Sequence, residues 1–99
     1  MADPRKAGTD RGDIGAELRH YLISARIRRE EYLNLIEELE RDELEFDLVE
    51  YRDTLKREIR PLREKAVSIG VDNLIELAQE VEKIYEEIIS MIEDRLTRL

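Results

Sequence analysis

The sequence predicts an all-α fold, a three-helix antiparallel bundle, and three observations predict it. Apolar residues recur at steps of three and four through most of the chain, the spacing that lines one face of a helix. Charged residues make up 42% and aromatics only 5%, so the interior is left to Leu, Ile and Val on the inner faces of charged helices. The stretches that break the helical phase are short, which makes consecutive helices close neighbours. A chain of 99 residues supports one core and buries roughly 60 to 70% of the surface its unfolded form exposes.

The elements follow in order. Residues 1–12, MADPRKAGTDRG, mix Pro, Gly, Asp and basic residues without periodicity and are expected to be a disordered tail, leaving 13–99 as a single helical-bundle domain. From Asp13, read as an N-cap, apolar residues fall at Leu18, Leu22, Ala25, Tyr32, Ile36 and Leu39, so a long first helix is expected to about Arg41. The segment RDELEFD, 41–47, breaks that phase, and Asp47 followed by Glu50 has the form of a capping box opening the second helix. Its stripe is Leu48, Tyr51, Leu55, Ile59, Leu62, Ala66 and Ile69. Pro61 lies within it, removes one backbone donor and crowds the preceding turn, which predicts a kink or break near Arg60. Gly70 supplies a C-cap and Asp72 or Asn73 begins the third helix. That helix carries Leu74, Ala78, Val81, Tyr85, Ile88, Ile92 and Leu99, widened by Leu77, Ile84 and Ile89. So broad a stripe predicts contact with both other helices.

Two departures from the pattern concern assembly. Arg29 takes an inward step of the first helix, between Ala25 and Tyr32, where an unpaired cation is costly. It is expected to reach towards solvent, to pair with a carboxylate as a register-setting charge in the helical seam, or to face an anionic ligand. On the opposite side lie Ala16, Ile23 and Ile27, an apolar patch that reads as a subunit contact. Ile23, Ile27 and Arg29 are therefore the expected interface residues of a self-associating protein.

Composition narrows the function. Cysteine is absent, which excludes a disulfide framework and thiolate metal sites. No apolar run approaches the ~20 residues of a membrane span and no secretory h-region opens the chain, so a soluble cytoplasmic protein is expected. The net charge of −8 argues against broad contact with nucleic acid. Abundant Glu and Arg with few Asn and Gln resembles the composition of heat-adapted proteins.

Candidate chemistry is sparse. There is no phosphate-cradling Gly-rich loop and a single histidine. Glu17, His20 and Ser24 fall along one side of the first helix, but a mid-helix serine has no free backbone N–H groups beside it to form an oxyanion hole. Glu37 with Glu40, and Glu50 with Asp53, stand one turn apart on helices expected to face each other, an arrangement suited to a hard cation. These spacings resemble the ExxE and ExxD motifs of the all-α nucleoside-triphosphate pyrophosphatases, which would imply a metal-dependent hydrolase.

Basic residues form a second pattern. Arg52, Lys56, Arg60 and Arg63 run down one flank of the second helix, while Glu76, Glu80, Glu82, Glu86 and Glu87 crowd the third, so interhelical ion pairs are expected. The basic stripe is also the surface a nucleic-acid-binding accessory protein would use, though it lacks interleaved aromatics.

The order of a long helix, a loop, a shorter helix and a final helix resembles the all-helical chorismate mutases, intertwined dimers that bind a dicarboxylate through arginines. The resemblance implies an anion site built from Arg29 and the pair Arg52 and Asp53. This chain departs from that pattern where the family has a Lys late in the first helix, here Leu39 or Glu40, and a Gln or Glu late in the third, here Ile88 or Ile89. With no complete catalytic constellation, the expected protein is a small interaction, regulatory or structural subunit without a cofactor. Its expected partners are itself, as a dimer or larger, or another protein.

Overall fold

The computed structural model describes residues 10–99, and these are almost entirely helical. Helix α1 spans Asp10–Leu35 and passes through a single 3-10 turn, Ile36–Glu38. Helix α2 spans Arg41–Thr54, a π-helical turn covers Leu55–Ile59, and α3 spans Arg60–Ile69. Helix α4 spans Asp72–Arg98. Because the backbone stays right-handed helical at Leu55 and Arg60, α2, the π turn and α3 form one continuous rod. Three helical rods thus pack together, as expected.

Several boundaries differ from those expected. Asp13 lies inside α1 rather than capping it, since the helix already includes Asp10. The tail read over the first residues lies, for 1–9, outside the described residues. Helix α1 stops at Leu35 rather than near Arg41, and Leu39 and Glu40 adopt extended backbone before α2 begins. RDELEFD is therefore the first turns of a helix, and Asp47 sits in its interior, opening no capping box. The reason is visible in the core: Leu44 is completely buried, and the energy of burying a leucine, about 1.5 to 3 kcal/mol, outweighs the local capping signal.

Pro61 does not break the second rod. It has no N–H to offer the Arg57 carbonyl, and the strain is absorbed one turn earlier, where the Arg60 N–H bonds to the Leu55 carbonyl five residues back. The wide turn keeps both Leu55 and Ile59 buried at its two ends. Gly70 ends α3 at φ +77°, the left-handed conformation a C-cap requires, with its N–H on the Ala66 carbonyl at 3.0 Å.

The core follows the three apolar stripes. Leu18, Leu44, Ile59, Ala66, Ala78, Val81, Ile88 and Ile92 are wholly enclosed, and Ile14, in the first turns of α1, joins them. Leu99 is an exception to the expected stripe: it lies beyond the end of α4 and is half exposed. Helix α4 packs on α1, on α2 and on α3, which accounts for its width. Gly15 sits where α1 meets the start of α4; a methyl group there would come 3.3 Å from Leu74 Cδ2. No charged residue is buried among the described residues, and the hydroxyl-bearing residues of the core are Tyr32 and Tyr85.

Candidate functional site

Ion pairs tie the basic rods to α4. Arg26 Nη2 meets Glu80 Oε1 at 2.5 Å, Arg29 Nη1 meets Glu87 Oε2 at 2.9 Å, Arg52 Nη2 meets Glu93 Oε2 at 2.5 Å and Arg63 Nε meets Glu82 Oε2 at 3.2 Å. Arg95 donates to the Glu37 backbone carbonyl at 3.2 Å, fastening α4 to the turn after α1. Most of these side chains remain about half exposed, so each pair contributes little singly.

Arg29 takes two of the three courses open to it. It leans out of the core, with about a third of its side chain exposed, and pairs with a carboxylate. The anion site implied by Arg29, Arg52 and Asp53 is not brought together: Arg29 faces Glu87, Arg52 faces Glu93, and Asp53 accepts from Arg57 at 2.8 Å on its own helix. The two arginines line separate shallow grooves on either side of α4, with Glu86 and Ser90 on the ridge between them. Arg29, Arg52 and Asp53 are each paired within the chain, and Lys56 and Arg60 line the same groove as Arg52.

The carboxylate quartet does not converge either. Glu37 lies in the 3-10 turn 3.9 Å from Arg98, Glu40 precedes α2, and Glu50 and Asp53 sit further along α2. Among the described residues no three of His, Asp and Glu gather closely enough to share a metal ion. Glu17, His20 and Ser24 are all exposed on the regular part of α1, where neighbouring N–H groups are consumed by the helix. Of the basic stripe, Arg52 and Arg63 are paired, while among the described residues Lys56 and Arg60 have no carboxylate within ion-pair distance.

A cluster that sequence reasoning did not single out fills the seam between α1 and the second rod. All four tyrosines of the chain meet there. Ring centroids stand 6.3 Å apart for Tyr21 and Tyr85, 5.4 Å for Tyr85 and Tyr51, and 6.2 Å for Tyr51 and Tyr32. The Arg28 guanidinium lies 4.9 Å over the Tyr32 ring and reaches Asp47 Oδ2 at 3.2 Å. Tyr32 also donates to Asp47, and Tyr21 donates to Glu58 at 2.6 Å. Burial, followed by the neighbouring carboxylates, raises the Tyr21 and Tyr32 hydroxyls. Burial pushes Tyr85 up to about 12, with Tyr51 and Glu58 adding to the rise.

A cleft of about 270 Å³ opens over this seam between Arg28, Asp47, Glu50, Tyr51, Thr54 and Tyr85. Its cation and its central carboxylate already satisfy each other, so the arrangement clamps two helices. The signal was hard to find, because the four rings lie at 21, 32, 51 and 85 and only the packing brings them together.

The chain matches no family model, no curated protein and no solved structure. Among the described residues no helix is long and apolar enough to cross a membrane.

What remains is the outer surface. Ile23 is 59% and Ile27 is 57% exposed, on the side of α1 opposite its buried stripe. Arg29, expected with them at one interface, is instead turned to α4. Phe46 and Val49 form a second exposed apolar pair on α2. Scattered exposed apolar residues are ordinary, but these two isoleucines stand one turn apart on the same outward face.

Proposed function

We propose that this protein is a small helical subunit that acts by protein contact rather than by catalysis, and that it self-associates through the outer face of α1. The observation that carries the reading is the exposure of Ile23 and Ile27 away from the core. It is supported by the in-chain pairing of Arg29, Arg52, Asp53 and Arg63, which leaves the groups first suited to ligand chemistry engaged.

The scaffold is an up-down-up bundle. Early residues of α1 meet early residues of α4, and late meet late, as in Gly15 with Leu74, Arg29 with Glu87 and Glu37 with Arg95. Contacts with the second rod run the other way, as in Arg28 with Asp47, Tyr21 with Glu58, and Arg63 with Glu82. Among the described residues, nothing covers Ile23 and Ile27 on the outer face of α1.

The variant Ile23→Ser/Ile27→Ser tests the reading. It should keep the helical circular dichroism and thermal transition of the folded chain at low concentration while losing self-association. Unchanged association would refute this surface as the contact.

A further inference from the structure

Resting on that self-association reading, we infer that the partner on the outer face of α1 is a second copy of this chain, with the two α1 helices antiparallel about a two-fold axis midway between Ile23 and Ile27. Ala16, His20, Ile23, Ile27, Glu30 and Asn34 follow one another at alternating steps of four and three, and all six are exposed. That alternation is the seam of a two-helix coil, and here it covers about 27 Å of helix at ~1.5 Å per residue.

The order of residue types along the seam decides its direction. With the helices antiparallel, Ile23 of each copy meets Ile27 of the other, His20 meets Glu30, and Ala16 meets Asn34. Every layer is complementary: apolar on apolar at the centre, an imidazole beside a carboxylate next, and a small residue opposite an amide at each end. The contact is isologous, so both halves are made by the same residues and the pair is closed. With the helices parallel, Glu30 would face Glu30 and His20 would face His20, placing like groups together in the seam.

The flanks fit the same arrangement. Antiparallel pairing brings the two copies of Arg26 together at the axis and sets Glu17 near Glu31. Arg26 is already held by Glu80 at 2.5 Å and Glu31 by Arg28 at 3.3 Å within each chain. The like charges that oppose this pairing are thus partly neutralised before the copies meet.

Cysteine cross-linking tests the direction, because the chain has no cysteine of its own. Ala16→Cys and Asn34→Cys are made singly, oxidised alone and as an equimolar mixture in glutathione buffer, and run on non-reducing gels beside light scattering of the unmodified chain. The expected result is a disulfide dimer from the mixture, at least tenfold more abundant than from either variant alone. Cross-linking of each variant by itself, with none added by mixing, would overturn the antiparallel pairing while leaving self-association intact. A dimer by mass that cross-links in no combination would overturn this seam. An unmodified chain that stays monomeric would overturn the self-association reading and this inference together.

Discussion

Arg29 Nη1 donates to Glu87 Oε2 across 2.9 Å, joining the middle of α1 to the middle of α4 at the one inward step of α1 that is not apolar. The pair lies at the edge of the core with 32% and 41% of its side chains exposed, so its attraction is screened. A double-mutant cycle of Arg29→Met and Glu87→Gln should therefore give a coupling of about 0.2 to 1 kcal/mol in urea unfolding. A coupling of several kcal/mol would mean that the pair is far more enclosed than this geometry allows.

Leu44 tests where the second rod begins. Its side chain is wholly enclosed, so Leu44→Ala should cost about 2 to 5 kcal/mol of unfolding free energy. An effect below about 0.5 kcal/mol would fit a solvated linker over 41–47 rather than a packed helix.

Gly70 holds the turn between α3 and α4 at φ +77°. Space is not the obstacle to a side chain, since a methyl group would touch nothing within 4 Å. The obstacle is the left-handed backbone, which costs an L-residue roughly 1 to 2 kcal/mol. Gly70→Ala should lower thermal stability by about that amount, and Gly70→Asn by less.

The tyrosine seam gives the fold an alkaline limit. Tyr85 is held up to about 12 in the folded chain against 10.0 for the free group, and Tyr21, Tyr32 and Tyr51 are raised in the same direction. Between these values the unfolded chain releases protons that the folded chain retains, so stability is full below pH 10 and falls as the pH rises towards 12. Tyrosinate absorbance near 295 nm should accordingly appear together with loss of helical signal. In Tyr85→Phe the decline should be shallower, and a decline identical to that of the unmodified chain would exclude Tyr85 as a contributor.

Much of this fold was legible because helical spacing is a strong local signal. Leu18, Leu22, Ala25, Tyr32 and Ile36 are all buried as their steps imply, and so are Leu48, Leu55, Ile59, Leu62 and Ala66. The misreadings arose where a local cue competed with packing. Asp47 and Glu50 look like a cap, yet Leu44 draws the preceding turns into the core; Asp13 looks like a cap, yet Ile14 beside it is buried. Pro61 announced an irregularity, but its form as a wide turn ending at the Arg60 N–H depends on keeping Leu55 and Ile59 inward, which no local rule specifies. The site was less legible still. Arg29 and Arg52 are legible as cations, but that they meet Glu87 and Glu93 depends on how α4 lies between the other rods, while Asp53 pairs with Arg57 along its own rod.

Self-association requires that the outer face of α1 be covered in solution. The most direct measurement is the mass of the unmodified chain by light scattering on a sizing column, over a concentration series and at low and moderate salt. The mass should approach twice the 11.8 kDa of one chain as concentration rises, with the association carried mainly by the apolar centre of the seam and so persisting at moderate salt. A mass that remains that of a single chain at every concentration would contradict it.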